Sequence, residues 1–380
     1  MFDLDFLRPK EKFLLLEIAP KRTSGLLISV DEEKHIRPEK FWDEFSFNKL
    51  SRDPLKVLRN HKIVVSAHPS FATTISMPVE LEREGGEVER PIGTAELENI
   101  FAKAVSVFFG KYRSEVSKRL GLNELEVVLV ETTASNFRVD GHLVLNPVGF
   151  RGRKIAATLE FVFAARNIFD DLKPFFNSKT GFFFTPSSRA SAFALSRADS
   201  APATLVFLDS DGSYYVVFSE FPSGRSVKEE KLDWSFSHLL RSISAAAGTG
   251  RRATFDVYHR YLKSDASPGF LRVISRVVKP ELEAMLKKVK EKKPVGAVYV
   301  YSPLPLPLSY PVRLLHGAEM KEPQLEQILG RFGFTTEPRE WQAEKGEIFP
   351  RLAPFLESYF DKSDSEVNKR LKRRLHWLIQ

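Results

Sequence analysis

Apolar and polar positions alternate with two different periods along this chain, and the switches between them divide it into elements. Residues 12–30 (KFLLLEIAPKRTSGLLISV) hold two short apolar runs bounded by Pro20 and Gly25, which predicts two strands around a tight connection. Residues 62–67 (KIVVSA) predict another strand. From Pro91 to Gly121 the period changes. Leu97, Ile100, Phe101, Ala104, Val105 and Phe108 recur at helical spacing, Thr94 is placed to cap, Glu96 and Glu98 lie in the first turn, and Gly121 ends the run.

A strand block follows: LEVVLVETT at 125–133, a hairpin turning at Asp140-Gly141, and a strand with a period near two from Ile155 to Phe163. A helix and three strands thus make a small α+β insert over 88–164. Further on, the pattern predicts a helix, a strand (GFFFT) and a second helix over 165–195. A hairpin over 203–221 turns at Asp211-Gly212. Helices are predicted over 234–247 and 270–292, and a buried strand over 295–302. After the Pro-rich stretch 303–311 come helices at 324–332 and 348–360, a polar linker DKSDS at 361–365 and a final amphipathic helix at 366–380. No internal repeat is visible.

Composition narrows the chemistry. A chain of 380 residues is enough for two lobes, and 43% hydrophobic with 28% charged residues is ordinary for a globular protein. The 32 Phe residues read as filling for several small cores. With no Cys, disulfides, thiolate metal sites and Cys nucleophiles are excluded, and the eight His residues fall in no metal-ligand spacing, so no metal site is expected. No apolar run reaches the ~18 residues of a membrane-crossing helix. The first twenty residues carry early acids and lack a small-residue cleavage site, so they do not predict a signal peptide. The net charge of +8 points to an anionic contact without choosing between membrane and nucleic acid.

The block RVDGHLVLNPVGFRGRKIAATLEFVFA (138–164) resembles the insertion domain of the FtsA family of bacterial actin homologues. Asp140, Gly141, Asn146, Pro147, Gly149, Gly152 and Leu159 carry the match. The element order along most of the chain agrees with it. The resemblance implies an α/β, actin-like (actin/Hsp70 ATPase) two-lobed fold with a small α+β, SHS2-like insertion domain. Its parts would be 1–87 and 165–200 (first lobe), 88–164 (insertion), 201–245 and 295–330 (second lobe), 246–294 (second-lobe helical insertion), 331–360 (helices returning to the first lobe), 361–365 (linker) and 366–380 (tail).

Actin-like ATPases hold phosphates between two Gly-rich hairpins, each with an acid for Mg²⁺ and water. The family's first hairpin reads Asp-hydrophobic-Gly-Thr; here it is Glu17-Ile18-Ala19-Pro20, and Pro20 has no N–H to offer. The second reads Asp-Ile-Gly-Gly-Gly-Thr-Thr-Asp; here Asp209-Ser210-Asp211-Gly212-Ser213-Tyr214-Tyr215-Val216 keeps one Gly and adds an acid where phosphates would sit. The adenosine-side Gly-Gly turn is replaced by Ser302-Pro303-Leu304-Pro305. The resemblance therefore implies a vestigial nucleotide site at Glu17, Ala19, Asp209, Asp211 and Gly212, with no catalytic residue and no ATP or Mg²⁺ cofactor. Weak nucleotide binding without turnover and an active ATPase stay open as alternatives. Gly248-Thr249-Gly250 before Arg251-Arg252 is a weak phosphate-loop signal that also suits a helix end.

In the tail, Val367, Leu371, Leu375 and Leu378 form one stripe bordered by Trp377 and Ile379, with Lys369, Arg370, Lys372, Arg373, Arg374 and His376 around it. This resembles the basic amphipathic helix with which FtsA proteins lie on the membrane; a helix packed on protein is the other reading. The resemblance implies a cytoplasmic adaptor at the division site. It would link FtsZ-type filaments to the inner face of the plasma membrane, self-associate into oligomers or polymers, and have no nucleic-acid partner. The alternative within the same fold is a PilM-like scaffold of a type IV pilus platform.

Overall fold

Two five-stranded sheets with the same strand order organise the molecule. The computed structural model describes residues 10–45, 61–176, 182–210, 212–219, 226–302, 304–307, 320–337, 348–360 and 367–369. In the first sheet, β1 (Glu11–Ile18), β2 (Thr23–Val30) and β3 (Ile36–Trp42) form an antiparallel meander, and β4 (His61–Ala67) and β9 (Phe182–Pro186) add in parallel, giving β3-β2-β1-β4-β9. In the second, β10 (Ala203–Phe207), β11 (Ser213–Ser219) and β12 (Ser226–Leu232) form the meander and β13 (Ala297–Tyr301) and β14 (Met320–Lys321) add in parallel, giving β12-β11-β10-β13-β14.

The third sheet, β5-β8-β6-β7, belongs to the insert: β5 (Ala72–Glu82), β6 (Val127–Val139), β7 (His142–Leu143) and β8 (Lys154–Ala165), with helix α1 (Thr94–Leu120) between β5 and β6. The insert's sheet therefore begins upstream of the boundary expected at residue 88, with a strand that precedes the helix. Gly93, in extended conformation, occupies the cap position instead of Thr94, which is the first helical residue. Six of the seven residues that carried the family resemblance lie in the insert's turns and loops, and the seventh, Leu159, is buried in β8. Asp140 and Gly141 both adopt positive φ (48° and 85°), as a two-residue type I′ hairpin requires. Asp140 Oδ1 accepts the amides of Arg153 (2.9 Å) and Lys154 (2.7 Å). A Cβ on Gly152 would lie 2.3 Å from Val139 Cγ1, so no larger residue fits there without movement.

Helix α3 (Ser187–Asp199) follows β9, after α2 (Arg166–Phe176), and lies between the two main sheets. Residues 187–196 are all buried. Its Ser and Ala residues keep it thin enough for sheets to close on both sides. With α8 (Ile348–Phe360) it shares one core with Phe13, Leu15, Leu205, Val216 and Phe334. A second core covers the other face of the second sheet, where α4 (Phe236–Ala247), α5 (Arg251–Leu262) and α6 (Pro268–Glu291) pack. Helix α7 (Leu325–Arg331) packs against α3. Gly248, at φ 63°, ends α4 and Gly250 precedes α5, so Gly248-Thr249-Gly250 is a helix-to-helix corner.

The insert touches both lobes. Its edge strand β5 lies along the edge of β12, and the Val227 amide donates to Ser76 Oγ at 3.0 Å. Glu160 on β8 is 1% exposed and sits 3.4 Å from Arg189 Nη2 on α3. Arg189 Nε is 2.9 Å from Glu357 on α8, which also accepts from the Thr185 hydroxyl at 2.7 Å.

Candidate functional site

The described residues of the site predicted from sequence lie at the ends of the β1–β2 and β10–β11 hairpins, and its two described acids, Glu17 and Asp209, meet different fates. Glu17 extends the inward face of β1 already set by Phe13 and Leu15, so its carboxylate points to the helices. There Arg351 of α8 lies 3.2 Å from Oε2 and the Ser24 hydroxyl donates to the same oxygen at 3.4 Å. Arg351 is 4% exposed and stacks over Phe41, 4.5 Å from its centroid. The crevice around this pair has no room for a water-sized sphere. At the hairpin tip the Ala19 amide donates to Arg22 O at 2.9 Å. Neither of the donors that a phosphate would need at positions 19 and 20 is available: one is bonded within the turn, the other is a proline.

Asp209, at the end of β10, faces His68 across the cleft. His68 follows β4 in the first lobe, and its Nε2 is 3.1 Å from Asp209 Oδ2. The ring is held by its other side: the Ser70 amide donates to Nδ1 at 3.2 Å, with the Ser70 hydroxyl 2.8 Å away. An Nδ1 that accepts leaves the ring proton on Nε2, the nitrogen beside the carboxylate. Burial opposes ionisation of Asp209, but the hydrogen bond and charge of His68, the Ser210 amide and Lys21 together outweigh it and hold the carboxyl below its ordinary range.

Aromatic rings fill the space beside this pair. Phe207 and Tyr214 each meet the His68 ring edge-on with centroids 5.8 Å apart, and Tyr301 lies against Phe207 at 4.9 Å. Burial first, then the charges of Glu229 and Asp209, push the Tyr214 hydroxyl well above its ordinary value, so it stays a neutral donor. Tyr215 points to the opposite face of the sheet and donates to Lys292 O at 3.3 Å. The first amides of α4 also face this loop, and they are bonded to it: Phe236 N to Asp209 O (3.1 Å) and Ser237 N to Ser210 O (2.9 Å). At the end of β13, Ser302 Oγ donates to Leu304 O, and the Tyr258 hydroxyl of α5 donates to Pro305 O at 2.8 Å. A Cβ on Gly212 would lie 3.3 Å from Lys231 Cε, so even the surviving glycine faces a side chain. Asp211 and Pro303 lie outside the described residues. The described groups fit a magnesium-nucleotide poorly: one acid is neutralised by Arg351, the other is turned to His68, and the amides are engaged.

Sequence reasoning missed His68 and Arg351. His68 could have been found, because it follows a parallel strand at its carboxyl end, where open α/β sheets place ligands and functional side chains. Arg351 lies 334 positions from Glu17 and carries no local signal.

Of the tail, only Val367, Asn368 and Lys369 are described; residues 370–379 of the expected membrane face lie outside. Val367 is 7% exposed and belongs to the insert's core, so this member of the stripe faces protein and not lipid. Asn368 accepts the Ala134 amide at 2.8 Å and donates to Ala134 O at 3.1 Å.

No family model matches the chain, and no curated protein matches it in sequence. Solved structures do. A PilM–PilN type IV pilus biogenesis complex is similar at TM-score 0.51 and 12% identity, over 91% of this chain and 97% of that one. The ethanolamine utilization protein EutJ from Carboxydothermus hydrogenoformans follows at 0.35 and 10%, over 93% and 91%. The cytoplasmic domain of EpsL, from the type II secretion system of Vibrio cholerae, follows at 0.29 and 11%, over 84% and 93%. None of these comparisons places the chain in the FtsA family. The duplicated five-strand topology and the near full-length likeness to the first of them establish the actin-like fold.

Proposed function

We propose that this chain is an actin-fold scaffold without ATPase turnover, which holds a protein partner in a membrane-associated assembly of the type IV pilus platform kind. The engaged acids carry the reading: Arg351 lies against Glu17 and His68 against Asp209, the described acids around which the fold would otherwise build a magnesium-nucleotide site. Likeness across nearly the whole chain to a PilM–PilN complex supports the choice of assembly. Isothermal titration with Mg-ATP should show no binding tighter than about 100 μM, equivalent to about 5.5 kcal/mol; micromolar affinity would revive the ATPase.

The second reading is an FtsA-like division adaptor that carries FtsZ-type filaments on the inner face of the plasma membrane. The apolar and basic pattern of residues 366–380 favours it. Two peptides separate the readings in a fluorescence anisotropy titration: the cytoplasmic segment of a PilN-type protein and the C-terminal peptide of FtsZ, both from the same genome. Saturable binding of the first alone supports the scaffold. Binding of the second alone installs the division adaptor in its place.

A further inference from the structure

Charge is distributed unevenly over this fold. Residues 236–293, which hold α4, α5 and α6, carry thirteen Lys and Arg against five Asp and Glu, a net of +8. The whole chain also has a net charge of +8. The rest of the molecule, tail included, is therefore balanced, and this helical unit carries the entire excess.

Helix α6 carries six of these cations against three acids, and five of the six share one face. The buried stripe of α6 is Ile274, Val278, Leu282, Met285 and Val289. At 100° per residue, Arg272, Arg276, Lys279, Lys287 and Lys290 share a sector about 80° wide on the far side, interrupted by Glu283. The stripe is about 27 Å long at 1.5 Å per residue. Cations nearer the protein have acids to meet: Lys288 pairs with Asp233, and Lys292 with Glu230. Among the described residues, Arg276, Lys287 and Lys290 have no ion-pair partner. Exposed Val273, Pro280 and Ala284 border the stripe on one side.

We infer that this face of α6 is a second membrane-contact surface that docks on anionic phospholipid headgroups independently of the tail. These cations lie on the side of the helix turned away from its buried stripe. Three of the five cations are lysines, which act as point charges and do not demand the fixed geometry of a bidentate site. A row of cations on one helix face, three of them without an ion-pair partner among the described residues, beside small exposed apolar residues suits a plane of diffuse negative charge.

The test uses the full chain with the tail disabled by Leu375→Glu and Trp377→Glu. Co-sedimentation is measured with phosphatidylglycerol–phosphatidylcholine vesicles, and with phosphatidylcholine vesicles alone. The tail-disabled protein should still bind the anionic vesicles at low salt, and release them as salt rises. Adding Arg276→Gln, Lys287→Gln and Lys290→Gln, two exposed positions and one half-buried one, all outside the buried stripe of α6, should lower that binding at least about tenfold, since each cation contributes about fivefold. Loss of all vesicle binding on disabling the tail overturns the inference, as does equal binding with and without the three cations. Tighter binding of a DNA or RNA duplex than of the vesicles at the same salt overturns it in favour of a nucleic-acid surface. None of these outcomes bears on the nucleotide cleft, so the scaffold reading stands or falls separately.

Discussion

Glu17 shows how far a single position can be read. Its alignment with the family's acid was legible from the hairpin around it, but its role was not. Strand alternation would have placed it with Phe13 and Leu15 on the core face, away from the cleft, because side chains two apart share a face. The partner that satisfies it, Arg351, comes from the other end of the chain. Since Arg351 is 4% exposed, Arg351→Ala should leave Glu17 without its counter-ion and destabilise the fold by about 2–4 kcal/mol, measured by urea unfolding. Arg351→Ala together with Glu17→Gln should recover part of that loss. If the single and double variants are equally unstable, the guanidinium acts through its packing on Phe41 and not through the pair.

At the scale of elements, the long and strongly patterned segments were legible. The helices at Thr94–Leu120 and Ile348–Phe360 and the strand at Lys154–Ala165 lie where their periods predict. The missed elements share a physical reason: they are edges or half-buried faces with little apolar signal. β3 and β5 each contain a proline, Pro38 and Pro78, which edge strands tolerate. β12 reads SVKEEKL and buries only Val227, Glu229 and Leu232. α5 buries little beyond Thr254 and Tyr258. Edge strand β5 also changes what counts as the insert. Ala72 and Ala164 are cross-strand partners, so the module enters and leaves the first lobe through one pair of adjacent residues. Excising 74–162 and closing the gap with a short turn should leave a single cooperative thermal transition at lower Tm, followed by circular dichroism. Loss of cooperative melting would show that the lobes depend on the insert to fold.

At the scale of the molecule, two sheets share one strand order although no sequence repeat is visible, because topology constrains only which positions are apolar and where the chain turns. What the sequence could not show is how the insert ties the lobes together. Glu229 lies at that junction: it is fully buried on β12, accepts from the Ser188 hydroxyl of α3 at 3.2 Å, and neighbours Thr73 of β5 and Arg119 of α1. Burial raises its carboxyl to about 7 against the partial compensation of Arg119, Ser188 and Thr73. A folded-state value above the unfolded one of 4.5 means that the charged form is the costly one. The contribution of Glu229 to stability should therefore be greatest below pH 4.5, fall by about 3 kcal/mol as pH rises through 7, and level off above it. Asp209, shifted the other way, subtracts stability only in acid. Glu229→Gln should flatten the slope between pH 5 and 7 in denaturant titrations; an unchanged slope would assign it to another group. The same architecture has a mechanical consequence at the end of the chain. Asn368 grips both backbone groups of Ala134, and Val367 is seated in the insert's core. A pull on anything beyond Lys369 is therefore borne first by the central strands of the insert, not by α8. Tension at the C-terminus would load the part of the protein that bridges the two lobes, and the cleft would feel it through Glu160, Arg189 and Glu229.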